Sequence, residues 1–244
     1  WAARWGDIPP DDAMGNAGVY PLKYALQTVT DQDGEILEAG CGAGRILRYF
    51  HQAGYDITGI DYIDVAVQKL ARIDPTLKVE VGDITRLRFP EGRFRYILAF
   101  GLYHNLETGL EDAVAETWRI LQPGGGLCAS FRADNIQTRL TDWLADRKAR
   151  KAGKAPGTAF HKINLSRREF AALFERAGFV IEAISPVENM PILYKFSFFR
   201  AHDHKTFNEN KARTEGYRLS WLGRGLQAIL MAAMPDQFCN IYVM

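Results

Sequence analysis

The chain has few cysteines. Cys41, Cys128 and Cys239 are its three, far apart and odd in number. No CxxC pair occurs, which argues against a zinc cage and against a disulfide framework. That usage fits a reducing cytoplasm. Long apolar runs are also missing: none reaches the ~18 to 20 residues needed to cross a bilayer as a helix. No basic-then-apolar segment opens the chain, no internal repeat is present, and the first residue, Trp1, is not a methionine. An excess of charge is absent as well, with 30 Lys and Arg against 29 Asp and Glu. A global field for nucleic acid is therefore not expected.

What is present is a core. Apolar residues make up 47% of 244 residues, which suits one α/β domain with insertions. Short apolar runs alternate with helical patterns. Residues 35 to 40, 55 to 61, 77 to 83, 94 to 101 and 126 to 132 read as strands. Helices are expected from Pro21, over 45 to 53, over 65 to 73 and over 110 to 121. The last should bury Leu110, Val114, Trp118 and Leu121. A polar helix followed by a basic loop is expected over 134 to 158. Ser166 and Glu169 form a capping box for a helix that buries Phe170, Leu173, Phe174 and Ala177. A sixth strand is expected over 179 to 185 and a seventh over 240 to 244. Alternating strands and helices predict a Rossmann-like parallel sheet covered on both faces. Its ligands lie beyond the carboxyl ends of the strands. Glu38, Asp61 and Asp83 close the first three strands or lie near their ends, so they gather on that edge.

The stretch 35 to 45, EILEAGCGAGR, is the most informative. A Walker A loop needs Lys and then Ser or Thr after its last glycine; here Arg45 and Ile46 follow Gly44. The dinucleotide fingerprint needs GxGxxG, whereas Gly40, Gly42 and Gly44 give GxGxG. Glu38 would face a pyrophosphate poorly and suits a cation such as an amino-acid ammonium.

ILEAGCGAGR resembles motif I of the class I S-adenosylmethionine-dependent methyltransferases. DITGID, VGDITRL and LQPGGGL resemble their next three elements, in the same order over residues 35 to 185. The nearest likeness is to the small-molecule, type 11 branch. The resemblance implies a seven-stranded sheet with the last strand antiparallel, S-adenosylmethionine as donor and S-adenosylhomocysteine as product, with no metal. It divides the chain into an amino-terminal lid (1 to 30), a cofactor-binding core (35 to 132), and insertions near the substrate (133 to 165 and 187 to 236).

Roles follow from the same resemblance. Gly40, Cys41, Gly42 and Gly44 form the loop that approaches the cofactor. Glu38 helps hold the methionine ammonium. Asp61 accepts both ribose hydroxyls and Asp83 the adenine amine. Tyr62 and Ile84 sandwich the base, Phe100 and Gly101 line the methionine, and Tyr20 closes over the cofactor from the lid. In one departure, Arg95 follows Phe94 where the family usually has Asp.

Methyl transfer from a sulfonium needs alignment and water exclusion, and a base only when the acceptor holds its proton at neutral pH. Tyr103 and His104, after strand four, are the base candidates, with His161 approaching from another loop. The acceptor is expected to be a small molecule, apolar or aromatic in kind. The basic run 147 to 154 keeps a nucleic-acid or protein substrate as an alternative. A module that binds the cofactor without turnover is another, and a dehydrogenase a third. In the connection 187 to 236, Trp221, Leu222, Leu226, Ile229, Leu230 and Met234 recur at helical spacing. That face is expected to pack on the sheet. A lid over an apolar substrate, a dimer surface and a membrane-surface helix are its other readings.

Overall fold

The computed structural model describes residues 13–151, 162–206 and 216–244. Seven strands form one sheet: β1 (Ile36–Ala39), β2 (Ile57–Asp61), β3 (Lys78–Val81), β4 (Phe94–Ala99), β5 (Leu121–Arg132), β6 (Ser185–Val187) and β7 (Ile241–Val243). Their order is β3-β2-β1-β4-β5-β7-β6. The pairs β1–β2, β1–β4, β2–β3 and β4–β5 are parallel, and β6–β7 is antiparallel. β1 and β2 are buried along their whole length, as strands covered on both faces must be. The order reverses between β1 and β4, which opens a crevice at their carboxyl ends.

The described residues fall into two compact units. One comprises the described residues up to Ser130, together with Ala172–Glu182 and Met244. The other lies within Phe131–Ala171 and Ala183–Val243.

In the first unit, helices α1 (Leu22–Thr28), α2 (Arg45–Gln52), α3 (Asp64–Ile73) and α4 (Leu110–Ile120) connect or cover the strands. Helix α2 buries Ile46, Leu47 and Phe50. It can approach β2 closely because position 59 is glycine: a Cβ there would stand 2.8 Å from Leu47 and 3.1 Å from the Cys41 sulfur. Helix α4 buries Ala113, Val114, Thr117 and Ile120. Trp118, expected in that stripe, is instead 47% exposed. Its indole lies over Gly178 and meets the Phe179 ring at 4.9 Å.

β5 begins earlier than expected, at Leu121. The register against β4 jumps from Phe94↔Leu121 to Tyr96↔Gly126, so residues 122 to 125 loop out as a bulge. Arg95 donates to the Gly124 carbonyl at 3.0 Å, at the amino-terminal end of β4 and so away from the crevice.

The second unit holds α5 (Ile136–Lys151), the first half of α6 (Arg167–Arg176), α7 (Trp221–Ala233) and the short α8 (Pro235–Phe238). The Asn135 side chain accepts from the Thr138 N–H at 2.9 Å and caps α5. The capping box forms: the Ser166 N–H donates to Glu169 at 2.8 Å, and the Glu169 N–H donates back to the Ser166 hydroxyl at 3.3 Å. The sixth strand is shifted from 179–185 to Ser185–Val187. Its ladder is three residues long, set by β7, and Val180 lies out in solvent. The apolar side of α7 is reversed relative to expectation. Gly223 and Gln227 are buried, while Trp221, Leu222, Leu226 and Ile229 are exposed. A Cβ at Gly223 would lie 2.7 Å from the Phe199 carbonyl, so this glycine fixes which side of the helix faces inward.

Gly59→Ala forces α2 or Cys41 away from β2. Overpacking of this kind costs about 1 to 3 kcal/mol. Urea unfolding of the variant should show that loss, and a midpoint equal to wild type would contradict the close packing described.

Candidate active site

The crevice is built from three turns. After β1, Gly40, Gly42 and Gly44 all have positive φ, at 74°, 51° and 77°. Two of them are also held by packing. A Cβ at Gly44 would meet Leu70 at 2.5 Å, and one at Gly40 would meet Leu102 at 3.1 Å. Alanine is thus excluded from position 44 by backbone conformation and by space together. Gly44 then caps α2 in the left-handed conformation.

Asp61 ends β2 and is buried. Its Oδ2 accepts the Gly42 N–H at 2.8 Å and its Oδ1 accepts the Ile63 N–H at 2.9 Å. Each oxygen keeps a further acceptor site. Burial raises the Asp61 pKa, and the Ile63 and Gly42 amides oppose the rise. Tyr62, next in the chain, is 71% exposed. After β3, Asp83 uses one oxygen to close its own turn, accepting from the Thr85 N–H at 2.9 Å and its hydroxyl at 2.8 Å. Asp83 is exposed and Ile84 is buried.

Glu38 lies in β1 with 6% of its surface exposed. Its Oε2 accepts the Leu47 N–H at 2.7 Å, in the first turn of α2, where the helix dipole favours an anion. Desolvation dominates nonetheless. Burial pushes its pKa from 4.5 to about 8, against the lowering effect of the Leu47 amide and Arg45. Cys41 turns its sulfur toward Gly59 in the core, so this residue meets the crevice through backbone alone.

A second cluster closes the end of β4. The Ser130 hydroxyl, in β5, accepts the Gly101 N–H at 2.9 Å and pairs with the Tyr20 hydroxyl at 3.0 Å. Tyr20 meets the Phe100 ring edge-on at 5.7 Å, and burial raises its phenol to about 12. The Asn105 side chain donates to the Gly101 carbonyl. Ser130 was not among the residues expected here. A lone hydroxyl in the buried strand CASF was the available signal.

The base candidates separate. Tyr103 is fully buried. Its hydroxyl bonds Thr117 of α4 at 2.8 Å and its ring packs on Phe174 at 5.3 Å, so it faces the core and not the crevice. Burial raises its pKa further. Tyr103 is therefore a packing residue. His104, on the same 3-10 turn (Tyr103–Asn105), is buried with its Cε1 3.9 Å from where a Gly101 Cβ would stand. His161 lies outside the described residues.

Glu38 gives this site a pH signature. The folded protein holds the proton up to about pH 8, whereas the unfolded chain releases it near 4.5. Folding takes up a proton between those values, so this group's contribution to stability falls as pH rises through the window. Urea titrations from pH 5 to pH 8 should show that decline. Glu38→Gln, which still accepts the Leu47 N–H, should flatten it; an unchanged slope would contradict the buried neutral carboxyl.

Residues 36–125 match the family described as methyltransferase domain. A probable S-adenosylmethionine-dependent methyltransferase of Mycolicibacterium smegmatis is 26% identical over 148 residues, covering 61% of this chain and 52% of that protein. A malonyl-acyl-carrier-protein O-methyltransferase of Enterobacter lignolyticus is 29% identical over 115 residues, 45% of this chain and 44% of that one. The chain thus spans about half the length of the curated relatives it matches. A solved S-adenosylmethionine-dependent methyltransferase of Archaeoglobus fulgidus superposes with a TM-score of 0.60 at 13% identity, over 91% of this chain and 89% of that one. Geranyl diphosphate methyltransferase, solved with its diphosphate and sinefungin, gives 0.56 at 16% identity, over 91% and 74%. Those two likenesses speak to the fold. The motif order, the sheet order and the matched segment agree: residues 36–125 are similar to the methyltransferase domain, and the chain resembles S-adenosylmethionine-dependent methyltransferases.

Proposed function

We propose that this chain binds S-adenosylmethionine in the crevice beyond β1, β2 and β4 and directs its methyl group to a small-molecule acceptor. One observation carries the reading: the Asp61 carboxylate is held by the Gly42 and Ile63 amides beside a glycine turn too tight for side chains. A fixed, buried carboxylate with acceptor capacity on both oxygens suits two vicinal hydroxyls. A nucleotide phosphate would be repelled by it.

The neighbouring residues fit the remaining parts of that cofactor. Tyr62 offers an exposed ring and Ile84 a buried apolar side chain for the adenine. Asp83 keeps one oxygen for the exocyclic amine. Glu38 would answer the ammonium; a cation beside it favours its ionised form. Gly101 and Phe100, positioned by Ser130, Asn105 and Tyr20, line the methionine end and exclude water. Bound there, the cofactor supplies an electrophilic methyl group on sulfur. His104 is the residue of this chain suited to take a proton from an acceptor that carries one. A small molecule as acceptor agrees with the balanced charge of the chain. A structural neighbour of similar fold is a geranyl diphosphate methyltransferase, and a small-molecule acceptor is in keeping with that likeness.

Asp61→Ala should weaken S-adenosylmethionine binding by more than about tenfold in titration calorimetry, the loss of roughly 1.5 to 3 kcal/mol expected of hydrogen bonds to a charged group. Asp61→Asn, which retains one carbonyl acceptor, should fall between the two. Wild-type affinity in a folded Asp61→Ala protein would overturn the ribose assignment.

A further inference from the structure

Helix α7 is apolar on the side that faces solvent. Gly223 and Gln227 are its buried residues. Trp221, Leu222, Leu226 and Ile229 are exposed, Trp221 by 79% and Ile229 by 65%. Arg224 is the one charged residue among the 13 of the helix.

The apolar surface continues beyond the helix. The Ser220 N–H, at the cap of α7, donates to the Phe199 carbonyl at 2.8 Å. A Cβ at Gly223 would lie 3.2 Å from the Phe199 Cβ. The 3-10 turn Ser197–Phe199 therefore abuts the start of α7. Phe198, on that turn, is 73% exposed, and Phe196, just before it, is exposed as well. Their rings meet Phe199 edge-on, at 5.2 and 6.5 Å. Two segments thus turn large apolar side chains to water next to each other, which marks a contact surface.

Charge specifies the partner. Phe131–Ala171 and Ala183–Val243 together hold 17 Lys and Arg against 9 Asp and Glu, a net +8 in a chain whose total is +1. Four of these cations flank the apolar surface. Lys195 and Arg200 bracket the phenylalanine turn, Arg218 precedes α7, and Arg224 lies on it. Arg200 bridges to Leu219, which brings the two segments together at this end of the helix. Arg218 is paired with Asp203 at 2.9 Å. A second copy docked through the same face would set these cations against their own images. A nucleic acid would meet the cations and leave the aliphatic side chains without partners. The surface of an anionic bilayer meets both kinds of group, apolar side chains entering the headgroup boundary while Lys and Arg meet lipid phosphates. Among the described residues no helix is long and apolar enough to cross a membrane, so the contact is with one leaflet.

We propose that this face of the second unit docks on the surface of an anionic phospholipid bilayer. Phe198, Trp221, Leu222 and Ile229 enter the headgroup boundary, and Lys195, Arg200 and Arg224 lie at the phosphates. The inference goes beyond the methyltransferase reading and uses no residue of the crevice.

The test is sedimentation of the full chain with vesicles. Phosphatidylcholine vesicles carrying about one third phosphatidylglycerol should bind it about tenfold or more better than phosphatidylcholine alone. Raising the salt from about 0.1 M to about 0.5 M should weaken that binding. Phe198→Ser combined with Ile229→Ser should lose about tenfold or more of the partitioning. Arg224→Glu should lose several-fold, on the anionic vesicles alone. Without lipid, both variants should unfold in urea at the wild-type midpoint, because the changed side chains are exposed. No binding to the anionic vesicles, or equal binding to phosphatidylcholine alone, would overturn the proposal. Undiminished binding by the double serine variant would do the same, by reducing the face to a general polyanion site, nucleic acid included. So would a clear loss of stability in that variant, or a lipid-free dimer that Ile229→Glu dissociates, since either would mean that protein covers the face.

Discussion

Residues 60 and 61 tie three turns together. Gly42 and Ile63 donate their amides to the Asp61 carboxylate. Gly82 donates to its main-chain carbonyl at 3.1 Å, and Gly40 and Cys41 donate to the carbonyl of Ile60. The turns after β1, β2 and β3 are thereby fixed on the end of one strand. Such a charge inside the fold is tolerable because backbone amides surround it. The crevice depends on this knot: without it, the glycine turn would lose the partner that sets its distance from β2.

The rest of the site is arranged around that fixed point by packing rather than by further charge. Leu70 and Leu102 stand where side chains on Gly44 and Gly40 would be. Ser130 serves the other side, one hydroxyl meeting both the Gly101 amide and the Tyr20 phenol. Glu38 belongs to both groups. It anchors the first turn of α2, and its burial lifts its carboxyl well above the usual range. The chain's hydrophobic layout and its chemistry are therefore not separable in the first unit.

Much of this was legible in the sequence, for identifiable reasons. β1 and β2 are short stretches with aliphatic residues around Glu38 and Thr58, the first followed by glycine and the second ended by an acid, and the capping box at Ser166 is a local pattern whose partners lie three residues apart. What could not be read depended on distant partners. Trp118 leaves the helical stripe because Gly178, sixty residues on, offers its ring a bare surface. The segment 179–184 has the apolar content of a strand but no ladder, since pairing with β7 begins only at Ser185. Tyr103 carries the chemistry of a base, yet Thr117 and Phe174 hold it in the core. Helix α7 has a clear apolar periodicity, and periodicity does not say which side of a helix meets the protein. There a single glycine against a carbonyl decides the side.

Gly59 carries a consequence for how such a chain can diverge. Its missing side chain is the space that Leu47 and the Cys41 sulfur occupy. Position 59 can enlarge only if position 47 or 41 shrinks, whereas each of those can shrink alone at the cost of a void. The three positions, drawn from a strand, a helix and the glycine turn, are thus coupled in one direction: growth at 59 requires shrinkage at 47 or 41. A larger residue at 59 can therefore only follow a smaller one at 47 or 41, never precede it without strain.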